Sequence, residues 1–135
     1  FVLALQDEFY VDDEMMAESI QRHSSFNIIH RESMFKVDIF IPLKRPFLQS
    51  QLARVQRQTF LFEEEVSAKF SSPEDIILAK LEWYRFGGEV SERQWRDILG
   101  VVKTRSAGVS LGYLRKWAVE LNVSDLLERA LKEMG

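Results

Sequence analysis

Three polar side chains stand where chemistry would need them: Asp38 on a candidate strand, Lys80 on a candidate helix and Asp97 on the next helix. In Phe35-Lys-Val-Asp-Ile-Phe-Ile41, side chains alternate between the two faces of a strand. Phe35, Val37, Ile39 and Ile41 then point one way, and Lys36, Asp38 and Phe40 the other. A carboxylate held on a rigid sheet face beside a lysine can hold a metal ion; it can equally be a surface residue of a half-exposed sheet. Ile76, Lys80 and Trp83 share one helical stripe, so the Lys80 ammonium emerges among apolar neighbours. Asp97 lies off the inward face of its helix with Arg93 four residues before it, and an i,i+4 salt bridge accounts for both.

The elements that must position these residues can be read from pattern and punctuation. Phe26-Asn-Ile-Ile-His30 and Phe35–Ile41, separated by the polar gap Arg31–Met34, form an antiparallel hairpin. Before it, Val2–Glu8 reads as the end of an amphipathic helix with Leu3 and Leu5 inward, and Phe9-Tyr-Val11 as a short extended piece. Asp12 caps a helix over about Asp13–His23, with Met15, Met16, Ile20 and His23 inward. After Pro42 a helix is expected from Pro46 to about Gln56, burying Phe47, Leu52 and Val55. Thr59–Phe62 and Val66–Phe70 make a second hairpin around the acidic turn Glu63-Glu-Glu65, and both hairpins are expected in one small, mainly antiparallel sheet.

The strongest helix start is Ser71-Ser-Pro-Glu-Asp75, with Ser72 as N-cap and Pro73 in the first turn. That helix runs to Phe86, where Gly87-Gly88 stops it, and turns Ile77, Leu81 and Tyr84 inward. Ser91-Glu-Arg-Gln94 is a capping box for the next helix, which buries Trp95, Ile98, Leu99 and Val102. Beyond Gly108, Leu114, Trp117, Ala118 and Leu121 mark a third helix, and Ser124 caps a fourth through Leu126, Leu127, Ala130, Leu131 and Met134. The fold class is α+β: a small sheet with flanking helices over residues 1–71, then a helical bundle over 72–135 packed on it.

Other constellations have plainer explanations. Asp12-Asp13 is a capping pair more simply than a metal pair. His23 and His30 suit the edge of a core. Lys44, Arg45, Arg54 and Arg57 occupy a stretch without an acid, a phosphate-facing patch or a solvated helix face. No phosphate-binding glycine loop, dinucleotide fingerprint or nucleophile elbow is present.

Composition narrows the classes further. The chain has 135 residues, 46% apolar and 12% aromatic, which is globular and enough to bury a core. A net charge of −3 argues against a general nucleic-acid binder. With no cysteine there is neither a disulfide nor a thiolate metal site, which fits the cytoplasm, and two histidines cannot build a histidine-rich zinc site. No apolar run approaches the ~20 residues of a membrane span.

Together, Phe26-Asn-Ile-Ile-His30, Lys36-Val-Asp-Ile-Phe40, Ser72-Pro-Glu-Asp-Ile-Ile-Leu-Ala-Lys-Leu81 and Gln94-Trp-Arg-Asp97 resemble an uncharacterised family of bacterial nucleotidyltransferase-like proteins. These are distant relatives of the minimal nucleotidyltransferases and the abortive-infection nucleotidyltransferase toxins, and the resemblance covers about Leu5 to Leu131. It implies magnesium-dependent nucleotidyl transfer from a nucleoside triphosphate. In that family a Gly-Ser turn precedes an Asp-x-Asp pair, and a third acid stands on a neighbouring strand. Asp38 matches the third acid, a metal ligand. Lys80 matches the helical lysine near the triphosphate, and Asp97 a later acid that orients that lysine or the acceptor.

The sequence departs from the family in lacking Gly-Ser followed by Asp-x-Asp. The chain opens on Phe1-Val-Leu-Ala-Leu, already inside an apolar pattern, so that motif is expected upstream and these residues are expected to be an inactive C-terminal portion. The competing reading is a noncatalytic interaction module that keeps the family fold and makes a homodimer or binds a partner protein through its helical tail. A nucleic-acid binder using the basic stretch ranks last, because aromatic residues do not interleave with those charges.

Overall fold

The computed structural model describes residues 5–61, 65–105 and 108–134. The fold is α+β, with small antiparallel sheets and helices throughout. Backbone contacts divide the chain into two compact units, Phe1–Leu48 and Gln49–Gly135. The second hairpin therefore shares a unit with the C-terminal helices.

The first unit is a three-stranded antiparallel sheet with one helix. Strands β1 (Phe9–Tyr10), β2 (Ser25–His30) and β3 (Lys36–Phe40) run in the order β1-β2-β3, and helix α1 (Asp13–Arg22) packs on β2. The register pairs Phe26 with Ile39 and Ile28 with Val37, placing four apolar side chains on one face, as alternation predicts. Phe26 and Ile28 are buried. Phe35 remains exposed because it precedes β3, where its carbonyl accepts from the His30 N–H at 2.8 Å to close the turn. Val2 and Leu3 of the expected first helix lie outside the described residues; Leu5 is half-buried and Gln6–Glu8 form a turn.

Asp12 caps α1, its Oδ1 accepting from the Met15 N–H at 2.8 Å. The inward face is not the expected one. Met15 and Ile20 are about half exposed and His23 is exposed, whereas Ser19 is buried and Met16 half-buried. The inward stripe is centred on Met16 and Ser19, which leaves Met15 and Ile20 at its two margins. The tight return into β2 explains the small residue: Ser19 Oγ donates to the Ser25 carbonyl at 3.1 Å, and its own carbonyl accepts from the Ser24 N–H at 3.0 Å.

Helix α2 (Pro46–Ala53) crosses the boundary between the units. It is shorter than expected because Gln56 already belongs to β4 (Gln56–Leu61), and Leu52 is exposed where burial was expected. Strand β4 pairs antiparallel with β5 (Glu65–Phe70), from Gln56↔Phe70 to Leu61↔Glu65. This hairpin is a sheet of its own, not a continuation of the first. Its side chains are exposed on both faces apart from a half-buried Ala68, so the expected alternation has no core to follow. Of the acidic turn, Glu63 and Glu64 lie outside the described residues, and Glu65 opens β5.

Four helices complete the second unit: α3 (Pro73–Phe86), α4 (Glu92–Arg105), α5 (Leu111–Glu120) and α6 (Ser124–Met134). Ile77, Leu78, Leu81, Ile98, Leu114, Val123 and Leu127 are almost wholly removed from water and form the core. Ser72 caps α3 and Ser110 caps α5 through their side-chain oxygens. Ser124 is itself the first helical residue of α6, and the Val123 carbonyl accepts from the Leu127 N–H at 2.9 Å. No helix among the described residues is long and apolar enough to cross a membrane.

Candidate functional site

Asp38 sits at the middle of β3, opposite Asn27 of β2, on the face away from Phe26 and Ile28. Lys36, two residues earlier and therefore on the same face, places its Nζ 3.1 Å from Asp38 Oδ1. Both side chains are about half exposed. Among the described residues no group of three or more histidines, aspartates or glutamates gathers to hold a metal ion. The residues present around Asp38 thus do not fit a two-metal centre: one carboxylate is available, and an ammonium already neutralises it.

In the second unit, α3 and α4 bring Lys80 and Asp97 together. Ile77, Leu81 and Tyr84 fix one side of α3 in the core, and Trp95, Ile98 and Val102 do the same for α4. Tyr84 and Trp95 meet with ring centroids 5.3 Å apart, and the Tyr84 hydroxyl donates to the Glu89 carbonyl at 2.6 Å, fastening the turn between the helices. On the solvent edge of this seam, Lys80 Nζ lies 3.8 Å from Asp97 Oδ2. Their side chains are 40% and 54% exposed. The partner that helical spacing suggested for Asp97 was Arg93; instead a lysine on the facing helix reaches across the seam to it. At this separation the contact is an ion pair longer than a hydrogen bond, so the three ammonium donors are free to turn to another acceptor.

The second unit also contains a polar cluster that sequence reasoning did not anticipate. Asp75, fully buried, accepts from the Tyr113 hydroxyl at 2.7 Å and from Ser72 Oγ at 2.7 Å. Arg54 Nη2 lies 3.1 Å from Glu74 Oε2, its Nε lies 3.5 Å from Asp75 Oδ2, and its guanidinium stacks 3.8 Å from the Tyr113 ring centroid. Glu74 Oε1 accepts from the Ser110 N–H at 3.0 Å, and Ser50 Oγ lies 3.0 Å from the Tyr113 hydroxyl. Burial would raise the pKa of Glu74, but hydrogen bonds from Ser110, its own N–H and Ser72, with the Arg54 charge, outweigh it and hold the carboxyl below its usual range. Burial, with the Asp75 carboxylate, pushes the Tyr113 hydroxyl above its usual value, although Ser50 and Arg54 oppose this. In sequence Glu74 and Asp75 look like ordinary first-turn acids, and nothing local ties them to an arginine twenty residues earlier.

This cluster removes Arg54 from the basic stretch, since its charge is committed to two carboxylates. His30 is structural: Nδ1 lies 2.7 Å from Ser33 Oγ, and its ring meets Phe9 edge-on at 5.2 Å. Trp117 is buried and Leu121 half-buried, so neither provides the exposed tail surface that an interaction module would use. The exposed large apolar side chains include Trp83, Phe86 and Val119 on helices and Val90 in the turn after α3. No protein-family model, curated protein or solved structure matches this chain.

Proposed function

We propose that the chain carries part of a nucleotidyltransferase, with Lys80 as the cation that meets the triphosphate of a nucleoside triphosphate. The supporting observation is the Lys80–Asp97 pair at 3.8 Å across the α3–α4 seam. A surface lysine on a flexible stem has no fixed position. One flanked by Ile76 and Trp83 on its own helix, with a carboxylate on the next, is held at a defined place while its donors stay available. Asp97 is the positioning residue: it attracts the ammonium to the seam, and a phosphate oxygen arriving beside it would share those donors. Positive charge at that point offsets the charge that develops as the bond to the leaving pyrophosphate breaks. Asp38, paired with Lys36 at 3.1 Å in the first unit, has no part in this reading.

The test is transfer of an α-labelled nucleotide by the complete protein. Lys80→Met should abolish incorporation while leaving the fold intact by circular dichroism. Incorporation at wild-type rate in this variant would overturn the reading.

A second reading, a noncatalytic interaction module, is favoured by one observation: Trp83, Phe86 and Val90 are all more than half exposed at the end of α3 and in the turn after it. A large exposed apolar group is a common mark of a binding surface. Under this reading Lys80 and Asp97 are an ordinary surface ion pair of small energetic consequence.

A further inference from the structure

Trp83 stands one helical turn from Lys80, and residues three apart on a helix are neighbours on one face, with Cβ atoms ~5–6 Å apart. Of the three tryptophans, Trp95 and Trp117 are buried, at 7% and 9% exposure, whereas Trp83 is 54% exposed. Its indole is braced: the Phe86 ring meets it edge-to-face, with centroids 6.5 Å apart and planes at 87°. Gly87, which caps the end of α3 four residues after Trp83, lies against α4: a Cβ there would be 3.6 Å from Gln94 Oε1, in ordinary contact with it. The α3–α4 seam therefore offers, in order, a cation at Lys80, an exposed braced aromatic at Trp83 and a carboxamide at Gln94.

We infer that Trp83 is the base-stacking residue of a nucleotide site on the α3–α4 seam, with Lys80 on the phosphates. The inference rests on the reading of Lys80 given above and adds to it a residue and a recognition mode. A nucleobase is flat, polarisable and edged with hydrogen-bonding groups. It stacks on an indole with little regard to sequence, and a carboxamide supplies both a donor and an acceptor to its edge. A purely apolar partner would find a lysine and a carboxylate at one end of this surface. A nucleoside triphosphate matches both the charge and the aromatic face.

The experiment is equilibrium dialysis of the 135-residue chain against ATP and, separately, inorganic tripolyphosphate, with magnesium present. Stacking of this kind contributes about tenfold or more in affinity. Wild type should therefore bind ATP roughly tenfold more tightly than tripolyphosphate. Trp83→Ala should erase that difference, and Trp83→Phe should keep most of it. ATP should also quench tryptophan fluorescence in wild type and not in Trp83→Phe, whose remaining indoles are buried. Equal affinity for both ligands in wild type, or an ATP preference that survives Trp83→Ala, overturns stacking and leaves the Lys80 reading standing. Failure to bind either ligand overturns both. Loss of a dimer in Trp83→Ala with ATP affinity unchanged would assign the aromatic surface to a protein contact, and would likewise overturn the inference.

Discussion

The Tyr113 hydroxyl donates a 2.7 Å hydrogen bond to Asp75, joining the first turns of α5 and α3 through a carboxylate that no solvent reaches. A buried carboxylate is tolerated only when its oxygens are satisfied; here Tyr113 and Ser72 donate hydrogen bonds, and the Arg54 guanidinium, 3.5 Å away, adds its charge. The cluster ties the start of α3 to α5, and α3 carries Lys80. Its energetic role is therefore to set the frame on which the candidate site sits.

Removing one member should leave the others stranded. Tyr113→Phe deletes a single donor to Asp75 and should cost about 1–2 kcal/mol. Arg54→Met leaves Glu74 and Asp75 facing each other without a cation and should cost more, roughly 3 kcal/mol. Urea denaturation followed by circular dichroism ranks the two. A change near zero for Arg54→Met would mean that the ion pairs do not hold the unit together.

Acid should weaken the same cluster in a defined direction. The folded-state pKa of Glu74 lies below its ordinary value, because hydrogen bonds and the Arg54 charge outweigh the opposing effect of burial. The charged form is therefore favoured by folding. Its contribution is present above the unfolded pKa of about 4.3 and is lost as pH falls through the lower folded value. The stability difference between wild type and Glu74→Gln should then be largest near neutrality and narrow in acid. A difference that stays constant with pH would contradict this assignment.

Core and hairpin should respond very differently to the same deletion. Leu81 is completely buried between helices, so Leu81→Ala should cost about 2–5 kcal/mol. Leu61, at the end of β4, is 85% exposed, and Leu61→Ala should change stability by no more than about 0.5 kcal/mol. Thermal unfolding of the two variants checks the contrast.

What the sequence made legible was local. Ser72-Pro73 announced α3, Gly87-Gly88 ended it, and alternation in Phe26–His30 and Phe35–Ile41 gave the first hairpin with the correct inward residues in β3. Each of these signals is complete within a few residues. The misses needed a neighbour to interpret them. Met15 and Ile20 look inward by hydrophobicity, yet the tight return into β2 centres the buried stripe of α1 on Ser19. Asp97 looked paired with Arg93 because only its own helix was in view, and Lys80 reaches it from the facing one. Arg54 looked like a free surface cation because Glu74, Asp75 and Tyr113 are distant in sequence. Two hairpins suggested one sheet, but β4 and β5 pair only with each other within the described residues.

Lys80 and Asp97 are half in water, so breaking their pair should barely alter folding. Lys80→Met and Asp97→Asn should each stay within about 0.5 kcal/mol of wild type in urea. That near-neutrality is what allows their functional effect to be read cleanly. A large loss of stability would show that the pair is structural.

The most direct test of the central claim is the affinity of ATP for the wild-type chain and for Lys80→Met, measured by calorimetry at low ionic strength. If Lys80 meets the triphosphate, wild type binds ATP and the variant loses about tenfold or more of that affinity, as expected when a charge-assisted contact is removed. Equal affinity in both proteins, or no binding by wild type, would contradict the claim and leave Lys80 as a surface lysine paired with Asp97.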